Sequence, residues 1–87
     1  MRATQGPAHV QLGRTIRVLR AERDLSQEAL GERGGLHRNY VGAIERGEIN
    51  PTYRVLLKVA HGLGVSPSEL LARTEALERR ALPARNI

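Results

Sequence analysis

Apolar residues recur along this chain at spacings of three and four positions, which is the repeat of an α-helix. From about His9 to Arg23, the apolar positions i, i+4 and i+7 are occupied by Leu12, Ile16 and Leu19. From about Thr52 to Leu63, the positions i, i+3, i+4 and i+7 are occupied by Leu56, Val59, Ala60 and Leu63. Each set faces one side of its helix, so we expect two helices that bury these stripes.

Typical capping residues mark the ends of further helices. Ser26 is a good N-cap for a helix that begins at the next residue, and Gly34-Gly35 suit its end because glycine readily adopts the left-handed conformation. Later in the chain, Ser66-Pro67-Ser68-Glu69 combines an N-cap, a proline at the first helical position and a capping-box glutamate. We expect this last helix to continue toward Ala81, since Pro83 prevents further regular helix.

A short helix from about Arg38 to Arg46 is predicted to follow the Ser26-capped helix almost at once. When each residue turns by about 100°, one side of this helix holds Tyr40, Val41 and Ile44. The opposite arc is predicted to be exposed and holds Arg38, Asn39, Gly42, Ala43 and Arg46. Its small residues allow close approach, and Gly47 ends the helix. Two helices joined by a tight turn form a helix-turn-helix pattern, whose second helix enters the DNA major groove.

The predicted fold is therefore an all-α, compact bundle of about five helices. At 87 residues the chain is expected to form one globular domain. Residues 1–8, which include Gly6-Pro7 and little apolar material, are predicted to be a flexible N-terminal arm. Residues 9–73 are the predicted helix-turn-helix DNA-binding domain, and residues 74–87 are a predicted C-terminal helix extension and tail.

Four motifs in this chain resemble the lambda-repressor-like, or XRE-type, helix-turn-helix family of bacterial and phage regulators. They are LSQEAL, RGGLHRNYV, IERGEINPT and LLKVAHGLGVSPSELL, and they occur in the family's order. The resemblance covers about Leu12 to Leu71, which is most of the chain. It implies a lambda-repressor-like bundle of about five helices that usually binds operator DNA as a dimer.

Three positions depart from the family pattern. His37 stands where Ser or Thr usually caps the second helix of the motif, so the usual capping bond is not predicted. Gly34 takes a place commonly held by Leu or Ala, which predicts a loose end to the first helix of the motif. Ala29 stands where many members have Glu, and it removes the capping box that Ser26 would otherwise form.

The candidate DNA contacts lie on and around the second helix of the motif. Arg38 and Asn39, at its N-terminal end, are candidates for base edges, since Arg pairs with guanine and Asn with adenine; phosphate contact is the alternative. The resemblance places Gln27 against the DNA backbone and the first residue of this helix; a solvated polar residue in a first helical turn is the alternative. Phosphate contacts are predicted at and beyond its C-terminal end, with simple solvation as the alternative: Arg46, Asn50, Thr52 and Arg54.

The formal net charge of +5 and the pI near 11.0 suit a polyanionic partner such as double-stranded DNA. However, the segment from residue 25 to residue 50 has three Arg against four Glu, so the motif itself is not basic. Attraction to DNA is therefore expected from individually placed groups that flank the second helix: Arg14, Arg17, Arg54 and Lys58.

Composition and motifs argue against other classes of protein. Cys is absent, which removes thiolate zinc sites and is compatible with a cytoplasmic location. No apolar run approaches the ~20 residues of a membrane span, and the N-terminus lacks a signal-peptide core. His9, His37 and His61 have no metal-ligand spacing, so we predict neither metal nor cofactor. Paired catalytic carboxylates, a nucleophile triad and a phosphate loop are missing, so we predict no enzymatic activity.

Two readings of the last helix remain open. Its stripe of Leu70, Leu71, Thr74 and Leu77 is more than one small bundle needs to cover, which predicts a homodimer on a palindromic operator. The alternative is an antitoxin or other protein-interaction module that has the same fold and grips a partner protein with the last helix and tail. Copurification with a tightly bound neighbour would favour the module, whereas a homodimer that shifts its own promoter DNA would favour the regulator.

An ion pair is predicted between Arg20 and Glu45. Arg20 flanks the apolar stripe of the first helix, and Glu45 borders the inward side of the second motif helix. The family resemblance implies the same pair. Because both groups adjoin buried stripes, we expect the pair to be at least half-buried.

Overall fold

The computed structural model describes residues 7–81, which form five α-helices connected by short turns. In chain order they are α1 (Pro7–Glu22), α2 (Gln27–Gly34), α3 (Arg38–Glu45), α4 (Tyr53–Leu63) and α5 (Pro67–Ala81). The predicted all-α bundle of about five helices is confirmed. Most of the predicted arm and the end of the predicted tail lie outside the described residues.

Most helix ends follow the predicted caps. The Ser26 hydroxyl accepts from Ala29 N at 2.9 Å, so Ser26 caps α2 although residue 29 has no carboxylate to return the bond. The Ser66 hydroxyl accepts from Glu69 N at 3.0 Å at the start of α5. In contrast, α1 begins at Pro7, about two residues earlier than predicted, because a proline ring suits the first helical position.

Two predictions about the turn between α2 and α3 are wrong. His37 does cap α3, because its ring Nδ1 accepts from Asn39 N at 3.0 Å. The end of α2 is also well closed, since Leu36 N donates to the Gly31 carbonyl at 2.7 Å and Gly35 takes the left-handed conformation with φ of 78°. Imidazole nitrogen thus performs the role usually taken by a hydroxyl.

The core is a single cluster to which all five helices contribute. The predicted stripe of α1 is buried, and α3 adds Val41 and Ile44. Leu30 of α2 and Leu70 of α5 are fully buried, and the buried residues of α4 are Val59, Ala60 and Leu63. Helix α1 packs on both α3 and α5, while α2 packs on α3 and α4. The helix pair α2–α3 is therefore supported from two sides, by α1 and by α4.

Close approach of α2 to α4 explains why Gly34 departs from the family pattern. A Cβ on Gly34 would lie 2.6 Å from the carbonyl oxygen of Lys58, which is backbone and cannot move aside. Opposite it, a Cβ on Gly62 would lie 2.6 Å from a methyl carbon of Leu30. These two glycines let the helices pack with their backbones almost in contact, which fixes the position of α2.

None of the five described helices combines the length and the apolar character that crossing a membrane would require.

Candidate nucleic-acid interface

The turn formed by residues 35–37 joins α2 to α3, and the two helices make the predicted helix-turn-helix. Helix α3 is anchored through Val41 and Ile44, which are fully buried, while Tyr40 is half-buried against the same core. Its two N-terminal residues, Arg38 and Asn39, are exposed. The apolar side of α3 thus fixes the rotation of the helix about its axis, and the polar N-terminal end remains open to solvent.

A buried carboxylate at the end of α3 connects three helices. The side chain of Glu45 is 1% exposed, and its two oxygens accept from Arg20 Nε at 2.7 Å and Arg20 Nη2 at 3.0 Å. Arg20 comes from α1, so the predicted ion pair is confirmed as a two-bond contact. Its side chain is 18% exposed, and the Glu45 carboxylate raises the pKa of the Arg20 guanidinium above its ordinary value.

The same carboxylate positions Gln27 of α2. Gln27 Nε2 donates to Glu45 Oε1 at 3.0 Å, which draws the amide across the surface of α3. Arg17 of α1 adds a bond from Nη2 to the backbone carbonyl of Glu45 at 3.2 Å. Glu45 therefore sets the geometry of Gln27, the residue that the family resemblance places against DNA. Sequence reasoning identified Glu45 as half of an ion pair and did not identify its bond to Gln27.

The prediction that Gly42 lies on the exposed arc of α3 is wrong. Gly42 is buried, because the side chains of Gln27 and Arg46 lie across it. A Cβ at this position would approach Arg46 Nη1 to 3.0 Å and Gln27 Oε1 to 3.4 Å. Glycine here makes room for Gln27 to reach Glu45. Its neighbour Ala43, also predicted to be exposed, is half-buried.

Both arginines of the predicted reading surface have a carboxylate neighbour. Arg38 Nη1 lies 3.5 Å from Glu28 Oε1 of α2, and both side chains are exposed. Arg46 makes two bonds to Glu48, from Nε at 2.7 Å and from Nη2 at 3.1 Å. This contact raises the pKa of the Arg46 guanidinium and lowers the pKa of the Glu48 carboxyl. No local pattern in the sequence predicts that Glu48 pairs with Arg46.

The remaining candidates lie beyond α3. Asn50 is exposed in the loop between α3 and α4, and Arg54 is exposed in the first turn of α4. Thr52 is exposed too, but its hydroxyl accepts from Val55 N at 3.2 Å and caps α4. Helix α4 therefore starts beside the loop with its N-terminal amide groups toward Thr52, an arrangement that suits a phosphate. Arg14 was expected to flank α3, but it lines a groove between α1 and α5.

Among the described residues, no cluster of His, Asp and Glu has the size needed to hold a metal ion. The features that converge around α3 are guanidinium groups, amides and a helix start, which are groups that bind bases and phosphates.

Comparison with known proteins identifies the family. A helix-turn-helix family model matches residues 16–70. The control protein C.SmaI of Serratia marcescens is 44% identical over 62 residues, which cover 71% of this chain and 74% of the relative. The crystal structure of the restriction-modification controller protein C.AhdI from Aeromonas hydrophila is 44% identical, with a TM-score of 0.69 over 71% of this chain and 94% of that one. The wild-type controller protein C.Esp1396I is 26% identical and gives a TM-score of 0.79 over 88% of this chain and 99% of that one. The chain belongs to the XRE-type helix-turn-helix family of DNA-binding transcriptional regulators.

Proposed function

We propose that this protein is a cytoplasmic, sequence-specific transcriptional regulator that inserts α3 into the DNA major groove. The main support is the Glu45 network, which holds Gln27 beside α3 while Arg38 and Asn39 remain exposed at the N-terminal end of that helix. In this docking geometry the N-terminal residues of the second helix meet base edges. Arg38 then reads guanine and Asn39 reads adenine.

The proposed phosphate contacts surround this helix. Gln27 approaches the backbone from α2, with Gly42 and Ala43 forming the close surface beneath it. Arg46, Asn50, Thr52 and Arg54 follow the backbone from the end of α3 to the first turn of α4. Arg46 has to exchange Glu48 for a phosphate oxygen, since its guanidinium already makes two bonds to that carboxylate.

We further propose a two-fold symmetric homodimer formed through α4 and α5. Tyr53 and Leu57 of α4 and Leu71 of α5 are large apolar side chains that are exposed in the single chain, and Leu71 is 51% exposed. Leu70 and Thr74 are buried within the bundle and do not contribute. Two copies joined on this side would present their α3 helices about 34 Å apart, one turn of DNA. Sedimentation should therefore give a dimeric mass that Leu71→Glu reduces to that of a monomer.

The relatives suggest the target genes. C.SmaI is a control protein and C.AhdI is a restriction-modification controller protein. We extend this role to the present chain, so its operator would lie upstream of restriction-modification genes. Selection of bound fragments from genomic DNA tests this directly, because it gives the half-sites, their spacing and the target genes together. Fragments without a repeated half-site would contradict the dimeric regulator.

Two substitutions separate base reading from phosphate contact. Arg38→Ala should weaken cognate binding by roughly 1 to 3 kcal/mol per half-site and reduce preference at one base pair, because a bidentate contact is lost. Arg54→Ala should weaken all sequences alike and lower the salt slope by about one unit. Both variants are titrated against the cognate site and single-base mutants at two salt concentrations. Equal weakening of every sequence by Arg38→Ala would show that Arg38 only contacts the backbone.

A further inference from the structure

A groove runs between α1 and α5, on the side of α1 that faces away from α3. Arg17 and Arg20 of α1 bond to Glu45, so their side of the helix faces α3. Gln11 and Val18 lie on the opposite side, because Val18 is rotated by about 160° from Arg20 at the helical angle. The groove is therefore separate from the proposed DNA surface.

Two adjoining hollows make up this groove. One has a volume of about 250 Å³ and is lined by Thr15, Val18, Arg73, Ala76, Leu77 and Arg80. The other has a volume of about 330 Å³ and is lined by Gln11, Arg14, Val18, Leu77 and Arg80. Val18, Leu77 and Arg80 belong to both, so the hollows are continuous. Both are open to solvent.

The lining combines an apolar floor with a basic rim. Val18, 44% exposed, forms the floor with the half-buried Ala76 and Leu77. Of the residues that the structure describes, three arginines and no acidic residue line the hollows. Arg73 is bonded to Glu22 at 2.9 Å, whereas Arg14 and Arg80 have no carboxylate within 4.0 Å among residues 7–81. The groove is thus an apolar surface beside two guanidinium groups that lack an ionic partner in this range.

Gln11 supplies an independent sign of a missing partner. The residue is only 7% exposed, and its Oε1 is buried and accepts no hydrogen bond from any described residue. A buried carbonyl oxygen without a donor destabilises the folded protein, so such atoms are rare unless something binds there. Gln11 lines the larger hollow, so a change in its side-chain torsion angles would bring this oxygen to a bound N–H or O–H group.

We propose that the α1/α5 groove, bounded by Gln11, Arg14, Val18, Ala76, Leu77 and Arg80, docks an acidic amphipathic segment of a partner protein. Apolar side chains of the segment cover Val18 and Leu77, and its carboxylates pair with Arg14 and Arg80. The groove extends from Gln11 to Val18, about 10 Å or two helical turns, which matches a short helix. An open groove of this shape suits a segment better than a small ligand, which needs an enclosing pocket.

The site leaves both proposed surfaces of the regulator free. Leu71, on the proposed dimer side of α5, is rotated by about 180° from Arg80 at the helical angle. A bound partner would therefore occupy neither the dimer surface nor α3. The docking proposal does not depend on DNA reading, and it remains testable if the DNA proposal fails.

The test uses the full chain and a synthetic helical peptide with Leu on one face and Glu on its flanks. A copy with Lys in place of every Glu controls for hydrophobic binding alone. Backbone amide shifts in an NMR titration should concentrate at Thr15, Val18, Ala76 and Leu77. Arg80→Glu and Val18→Glu should each weaken binding about tenfold or more, since a paired charge or the apolar floor is lost. Arg79→Glu is the matched control, because Arg79 lines neither hollow and pairs with Glu75 at 3.2 Å.

Gln11→Leu provides a readout that separates docking from stability. The substitution removes the buried oxygen that has no hydrogen-bond donor, so it should raise the melting temperature of the free protein and weaken the binding of the peptide. Melting curves followed by circular dichroism also establish that every variant is folded. Three results would overturn the proposal. They are the absence of amide shifts with millimolar Glu peptide, equal weakening of peptide binding by Arg79→Glu and Arg80→Glu, and shifts centred on Leu57 and Leu71. Loss of operator binding by Arg80→Glu but not by Arg79→Glu would assign the groove to DNA instead and would also overturn it.

Discussion

Removal of the Glu45 carboxylate should destabilise this domain more than loss of any of its exposed charges. Glu45→Leu deletes the acceptor of two bonds from Arg20 and one from Gln27. Within residues 7–81, the guanidinium of Arg20 then keeps only the Leu25 carbonyl, at 2.8 Å, as a hydrogen-bond partner. Breaking a buried pair from one side costs about 3 to 5 kcal/mol, because an unpaired charge remains.

The lower end of this range, about 3 kcal/mol, applies here because Arg20 retains some contact with water. A domain of this size has a free energy of unfolding of roughly 5 to 13 kcal/mol, so one substitution removes a large share of it. Arg20→Met should cost a similar amount, since it leaves the Glu45 carboxylate buried. Arg20→Met combined with Glu45→Leu should cost much less than the two single changes together, because no buried charge remains.

Urea unfolding at neutral pH, followed by circular dichroism, measures all three free energies and the coupling between the two positions. Arg23→Met is the control: Arg23 lies in the turn just after α1, where it pairs with Glu22 at 3.5 Å and donates to the Leu19 carbonyl at 3.3 Å, and its loss should cost about 1 kcal/mol. A coupling energy below about 0.5 kcal/mol would refute the reasoning, because independent sites behave additively. In that case the contact between Arg20 and Glu45 would not stabilise α3 against α1.

Three further predictions concern packing, charge and pH. Gly34→Ala should lower the free energy of unfolding by about 1 to 3 kcal/mol because the new Cβ meets the rigid Lys58 carbonyl. Gly42→Ala should lower it less, because the nearest atoms there are the ends of flexible side chains. Urea unfolding that finds Gly42→Ala the more destabilising of the two would contradict this. Glu48→Gln should tighten binding to non-cognate DNA, measured by fluorescence anisotropy, because Arg46 loses its carboxylate partner. Glu32→Gln is the control, since it makes the same change of charge on α2 and should tighten binding less. Arg46 lowers the pKa of the Glu48 carboxyl in the folded protein. The pair therefore stabilises the fold above the ordinary carboxyl pKa of about 4.3, and this stability is lost as the pH falls through the lowered pKa. In Arg46→Met, the pKa of Glu48 measured by NMR titration should rise.

The sequence predicts the helices well because their signals are local. Apolar spacing identified the buried sides of α1 and α4, and hydroxyl caps identified the starts of α2 and α5. The contact between Arg20 and Glu45 was also predictable, although the residues are 25 positions apart, because each borders a stripe that must be buried. Periodicity determines which side of a helix faces inward, and these features need no more than that.

Features that depend on neighbouring helices were not predictable in this way. Gly42 lies on the outer arc of α3 by angle alone, but Gln27 reaches over it from α2. Gly34 reads as a weak helix end until the close approach of α4 is known. His37 was discounted because imidazole is an uncommon cap. The groove between α1 and α5 also depends on how two helices distant in sequence are rotated against each other.

The paired charges of the helix-turn-helix imply that bulk electrostatic attraction contributes little to the DNA recognition that we propose. Arg38 and Arg46 each have a carboxylate neighbour in the free protein, Glu28 and Glu48. When either arginine leaves its carboxylate for a group on DNA, the net gain in free energy is the difference between the two pairings, since the carboxylate loses its partner. On non-cognate DNA, where few other contacts form, this difference is small. On a matching site, the base-edge bonds that we propose for the N-terminal end of α3 would add to this gain, so we expect the paired carboxylates to weaken non-specific binding more than specific binding.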